Sequence, residues 1–188
     1  MRILGVDGSL TCTGLAVVET DEAGVRDALL GSGTIRTGAG DGDDTDRYAR
    51  IAAGVVGIAQ RFRVDLVALE MPFVDARKSQ AVALRLQGLR TAVEMALRKA
   101  GLPFVGVAPS SRLKAIGING KGMERAAIKA ATVEVVATRF GVVVGNDEAD
   151  AYAVAKAGLA KWRKAQRQAT QLKLDVKPGR RVAKRGNR

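Results

Sequence analysis

The order of secondary-structure signals along the 188-residue chain predicts an α/β fold, a mixed five-stranded sheet with helices on both faces. Two observations predict it. Three strand-like runs come first, separated only by turn residues, as in an antiparallel meander. Two further short apolar runs each follow a helical pattern, as parallel strands reached by crossovers do. Residues 2–6 form the first run, which ends at Asp7, and Gly8 and Ser9 open a turn. Residues 14–19 are the second run, a turn occupies 21–24, and residues 26–37 contain the third strand. A loop rich in Gly and Asp covers 38–46, after which Tyr48, Ile51, Val55, Ile58 and Phe62 recur at helical spacing. Residues 64–69 are apolar and rich in β-formers, with Glu70 at their end. A long helical pattern spans 79–99, a short strand 103–108, and residues 109–122 read as a loop with one helical turn. Helices follow over 124–140 and from Asn146, which suits an N-cap, to about Ala169; Pro178 and Gly179 end regular structure. The β-β-β-α-β-α-β-α-α order is ribonuclease H-like. One domain over residues 1–165 and a basic, disordered tail over 166–188 are expected.

The net charge of +12 is unevenly placed. Residues 161–188 hold eleven Lys and Arg against Asp175 alone, so this segment carries +10 and residues 1–160 only +2. A nearly neutral body with a basic tail suits a domain that grips a polyanion, while the plainer reading is a solubilising tail. The single cysteine, Cys12, excludes an intramolecular disulfide and a cysteine zinc site. There is no histidine, which removes Ser-His-Asp and Cys-His chemistry and His-ligated metals. Carboxylates, lysine or metal-bound water must carry any reaction. The run after Met1 is too short for a membrane span and lacks a signal peptide's layout, so no membrane role or secretion is expected.

Ligand-binding groups of an open α/β sheet gather at the C-terminal ends of its strands, where Asp7 and Glu70 both fall. If their strands pair in parallel, the two acids lie side by side, roughly 5 Å apart. Carboxylates that close repel unless a cation or a proton sits between them. Asp147 and Asp150, three apart in the first turn of the last helix, share a face. Each acid also has a plain structural reading: helix-start acids interact with the dipole, Asp7-Gly8 is ordinary turn chemistry, and Glu70 could pair with Arg77 or Lys78. What outweighs these readings is that all three locations can converge on one edge of the sheet.

The phrases Gly5-Val6-Asp7-Gly8-Ser9 with Thr13-Gly14, Ala68-Leu69-Glu70 with Phe73, and Asp147-Glu148-Ala149-Asp150-Ala151 resemble, in order and spacing, the RuvC family of Holliday junction resolvases, cellular or phage-type. The resemblance spans about residues 1–160. It implies that Asp7, Glu70, Asp147 and Asp150 are the catalytic carboxylates and metal ligands of a ribonuclease H-like nuclease domain. It also implies a Mg²⁺-dependent endodeoxyribonuclease that resolves branched DNA by paired symmetric nicks with 5′-phosphate and 3′-hydroxyl ends. The family typically carries Asp-Pro-Gly-Ser where this chain has Asp7-Gly8-Ser9, and some members place a histidine near the last acid, which this chain cannot. Oxygen-only ligands select hard cations, so Mg²⁺ is expected and Mn²⁺ should substitute. Two ions about 3.5–4 Å apart would flank the scissile phosphate.

Phe73 reads either as a platform for unstacked bases or as a packing residue, and Arg77 and Lys78 either as phosphate contacts or as a solvated helix start. Lys114 and Lys121 are candidate phosphate contacts, with Arg125 as the alternative to Lys121. The apolar surface of residues 79–99, from Ala81, Leu84, Leu86, Leu89, Val93 and Leu97, is divided between core packing and the seam of a homodimer that the resemblance implies for a two-fold junction. A cytoplasmic location, in a bacterial cell or a phage-infected host, goes with that reading. Two other readings compete. One is a non-catalytic protein that binds branched DNA. The other is an actin-like or sugar-kinase-like ATPase, suggested by Asp7-Gly8-Ser9 with Thr11 and Thr13 but short of the second domain such enzymes need.

Overall fold

The computed structural model describes residues 1–21, 26–72 and 80–175. Strands β1 (Arg2–Asp7), β2 (Cys12–Thr20) and β3 (Asp27–Arg36) form the antiparallel meander. Helix α1 (Asp44–Arg61) leads to β4 (Leu66–Glu70), and α2 (Gln80–Lys99) to β5 (Phe104–Val107), both strands adding in parallel beyond β1. The sheet order is β3-β2-β1-β4-β5, the mixed five-stranded arrangement expected from the sequence. Helices α3 (Pro109–Ala115), α4 (Arg125–Phe140) and α5 (Asn146–Asp175) complete the chain.

Strand alternation divides the core into two layers. Leu4, Val6, Leu15, Val17, Val67 and Leu69 point toward α1 and α2, where they meet Ile51, Val55, Leu89, Val93 and Leu97. Ile3, Ala16, Val18, Leu66 and Ala68 point the other way, toward α5. By the same parity Asp7 and Glu70, two residues past Gly5 and Ala68, face the α5 layer. Small residues let α5 come down onto the sheet. A Cβ on Gly5 would lie 2.7 Å from the Ala155 nitrogen, and one on Gly14 would lie 2.5 Å from the Asp147 carbonyl carbon. Ala149, Ala151, Ala155 and Ala157 are buried in this layer. A buried charge cluster fastens the middle of α5 to β3: Asp27 receives Lys156 at 2.7 Å and Arg139 at 3.2 Å.

Three boundaries differ from the sequence reading. The loop expected after β5 starts with a seven-residue helix, α3, because Pro109 at its first position has the fixed φ that a helix start accepts. Strand β2 begins at Cys12, two residues before the expected start at Gly14, because Cys12 and Thr13 pair with Arg36 and Ile35 of β3. Helix α5 runs to Asp175, past the expected end near Ala169 and into the segment expected as a disordered tail; Ala, Gln, Lys and Arg dominate there and no breaker occurs before Pro178. On α2, Leu89, Val93 and Leu97 belong to the core, Leu86 is half-buried, and Ala81 and Leu84 are exposed. Among the described residues no helix is long and apolar enough to cross a membrane.

Candidate active site

Asp7 closes β1 and Glu70 closes β4, one step beyond the parallel pair Val6 and Leu69. The turn after Asp7 is held by its own side chains. Thr13 Oγ1 donates to the Ser9 carbonyl at 2.6 Å, and from α1 Arg47 donates through Nη2 to the Leu10 carbonyl at 2.9 Å. Arg47 is in turn placed by the start of α1, where Asp43 accepts the backbone N–H groups of Thr45 and Asp46 at 2.7 and 3.0 Å in a capping box. The acid of β1 thus sits on a strand end with a fixed exit.

Asp7 and Glu70 are neighbouring carboxyls, and each makes the ionised form of the pair harder to reach. Burial first, and then the adjoining Asp7, push Glu70 up from 4.5 to about 8, with Arg112 opposing. Burial also raises Asp7, with Asp150 and Asp147 adding to the rise. A proton on the pair therefore belongs mainly to Glu70. In the metal-free protein the folded state holds that proton over the pH range in which an unfolded Glu70 has lost it. Stability without metal is expected to fall as pH rises from about 4.5 to about 8. Glu70→Gln, which cannot ionise, should remove most of that slope, read by thermal melts in a chelator across pH.

Asp150 is 4% exposed and approaches from the second turn of α5. Asp147 lies three residues earlier, beside Cys12; Asp147 first, and then burial, raise the Cys12 thiol above its ordinary range. Cys12 shares the parity of Gly14 on β2, so it too faces α5. The structure therefore brings Asp7, Glu70 and Asp150 together and sets Asp147 beside them against Cys12.

The sequence reading missed the residue at the centre of these acids. Arg112, on α3, places Nε 3.3 Å from Glu70 Oε1 and Nη1 2.5 Å from Asp150 Oδ1. Its helix follows directly from β5, the neighbour of β4, and is seated by Ala115 and Ile116 against the α5 layer. A basic residue five positions after a strand that ends at this rim was the available signal. Both atoms of the contact with Asp150 are buried, and among the described residues the Arg112 guanidinium is the group that reaches Asp150 Oδ1. Among the described residues no three acidic or thiol groups already converge as a metal-ligand set, because the guanidinium stands between Glu70 and Asp150. The donor chemistry nonetheless fits a hard cation: every acid offers oxygen, and Asp150 Oδ1 is buried with the Arg112 guanidinium as its partner.

Lys114 on α3, Lys121 in the following turn and Arg125 at the start of α4 are exposed, and no acid stands within ion-pair reach of them among the described residues. Phe73, Arg77 and Lys78 lie outside the described residues.

Comparison with known proteins places this geometry. The family model of the crossover junction endodeoxyribonuclease RuvC matches residues 3–157. Among similar proteins, the crossover junction endodeoxyribonuclease RuvC of Delftia acidovorans is 35% identical over 158 residues, covering 82% of both chains. That of Rhizobium johnstonii is 31% identical over 155 residues, covering 82% of this chain and 87% of its own. The solved structure of Thermus thermophilus RuvC in complex with a Holliday junction substrate is similar with a TM-score of 0.71 and 25% identity, over 87% of this chain and 96% of that one. The yeast mitochondrial Holliday junction resolvase shares the fold at a TM-score of 0.59 and 14% identity, over 91% of this chain and 84% of its own. Such membership implies a nuclease that depends on divalent metal. With a family match that spans the whole sheet and every rim acid, this chain belongs to the RuvC family of crossover junction endodeoxyribonucleases.

Proposed function

We propose that the chain is a structure-selective endonuclease that resolves four-way DNA junctions, with Asp7, Glu70, Asp147 and Asp150 as its catalytic carboxylates and ligands of two Mg²⁺ ions. The observation that carries the reading is the meeting of Asp7, Glu70 and Asp150 at one rim of the sheet in a chain of this family. When bound there, hard divalent cations supply charge neutralisation at the phosphate and lower the pKa of attacking water. The chain's own acids fix where that charge sits. Asp7 and Glu70 are held on strand ends and Asp150 on a helix seated against the sheet, so little reorganisation is needed at the moment of reaction. Glu70 must lose its proton to serve as a ligand, and metal loading should therefore release protons near neutral pH.

Lys114, with Lys121 or Arg125, would hold phosphates from the α3 side, and Phe73, Arg77 and Lys78 would meet unstacked bases and phosphates from the segment after β4. A homodimer would present two such sites to a two-fold substrate and give paired nicks with 5′-phosphate and 3′-hydroxyl ends. The exposed Leu84 and Val82 on α2 suit that seam.

The direct test is incubation with synthetic four-way, forked and linear DNA in Mg²⁺, with mapped cut sites. Symmetric cuts confined to branched DNA are expected; binding without cutting would leave a non-catalytic junction binder. The basic tail has its own test. Residues 176–188 carry six Lys and Arg and no acid, and cutting after Asp175 leaves α5 whole. Their removal is expected to weaken junction binding and to lower the slope of log affinity against log salt by about 2–4, since each lost phosphate contact is worth about 0.9. An unchanged slope would rule the tail out as a DNA contact.

A further inference from the structure

The rim holds Asp7, Glu70 and Asp150, and one cation of this chain reaches two of them. The Arg112 guanidinium is in contact with both Glu70 and Asp150 and offsets charge there. Arg112 is largely enclosed, with 20% of its side chain exposed against 5% for Asp150 and 17% for Glu70, so water does little of this screening. The guanidinium also stands on the side of Asp150 that faces Glu70, the side from which one cation could touch both.

The geometry points to Arg112 as a tethered stand-in for a divalent ion. It holds Glu70 and Asp150 together in the metal-free protein and is expelled from Asp150 when metal binds. This inference rests on the proposed metal-binding role of the four acids. Two features favour displacement over permanent residence. A guanidinium and a divalent ion on the same carboxylate edge repel each other across a few ångströms of poorly screened space. The hold on Arg112 is also incomplete. Its contacts are divided between two acids, and its helix is only seven residues long with no side chain capping the N-terminus. An arginine built to stay would use its fork to make two aligned bonds to one carboxylate. Here Nε and Nη1 go to different acids. Arg112 is therefore a positioning residue that keeps the acids assembled and sets how tightly metal must bind to enter.

The consequence is measurable without any cleavage assay. Mn²⁺ is titrated into the full-length protein and followed by electron paramagnetic resonance of the free ion, in the wild type, Arg112→Ala and the bulkier Arg112→Gln. Both variants are expected to bind Mn²⁺ at least about ten-fold more tightly, because the competing positive charge is gone. In chelator, both are expected to melt about 5–10 °C below the wild type, a gap that closes when Mn²⁺ saturates the site. Affinity that is unchanged or weaker in the variants would overturn the inference and make Arg112 a fixed member of the loaded site. If Arg112→Ala does not fold, Arg112→Gln decides. Failure of the underlying reading looks different: Mn²⁺ binding by the wild type would then be absent, or unaffected by Glu70→Gln and Asp150→Asn.

Discussion

Glu70→Gln is expected to lower four-way junction cleavage by about a thousand-fold or more while leaving junction affinity within about three-fold of the wild type. The substitution changes one oxygen to an amide and little volume, so the end of β4 and the buried residues behind it, Ala68 and Leu69, stay in place. What is lost is specific to catalysis. An amide is a poor ligand for a hard cation, and it cannot take the anionic form that Glu70 reaches once its proton leaves. Binding should not suffer, because phosphate affinity comes from cations and removing a carboxylate from the DNA face reduces repulsion. The metal-free protein should become less sensitive to pH at the same time, since the raised Glu70 titration disappears. A quenched-flow or gel cleavage assay beside an electrophoretic binding titration separates the two effects. Cleavage within ten-fold of the wild type would remove Glu70 from the metal site.

How far this site could be read from the chain depends on which signal each part left. Strand parity is a local property, so Asp7 after Leu4 and Val6, and Glu70 after Val67 and Leu69, could be placed at strand ends and beside each other from sequence. Asp147 and Asp150 were placed at the start of α5 by Asn146 and the alanine pattern that follows. What they do there was not legible. Their spacing puts both on one side of the helix, but it cannot say that Asp150 reaches Arg112 while Asp147 meets Cys12. Those contacts depend on how closely α5 approaches β2, a tertiary distance set by Gly14. Arg112 was missed for a related reason: Pro109-Ser110-Ser111 resembles a turn, and only the placement of α3 between β5 and α5 turns the following arginine inward. The length of α5 was underestimated because a basic run was read as tail although its residues favour helix.

The glycines under α5 give the second large prediction, and they connect fold and chemistry most directly. Gly14→Ala is expected to destabilise the protein by about 3 kcal/mol and to lower junction cleavage by at least about a hundred-fold, even at temperatures where the variant is fully folded. A Cβ at position 14 would lie 2.5 Å from the Asp147 carbonyl carbon and 3.1 Å from the Asp147 Cβ. Backbone cannot step aside as a flexible side chain can. The start of α5 must therefore lift from β2, carrying Asp147 and Asp150 away from Asp7 and Glu70. Catalysis depends on those distances to within a fraction of an ångström, so a small lift costs more in rate than in stability. Gly33→Ala is the control. It lies on β3 with open space around the position, and its effect should stay within about 1 kcal/mol, the range of strand propensities, with cleavage unchanged. Chemical denaturation gives the stabilities, and single-turnover cleavage at saturating Mg²⁺ gives the rates. If Gly14→Ala were destabilised yet cut at the wild-type rate, the seating of α5 would matter to the fold and not to the placement of its acids.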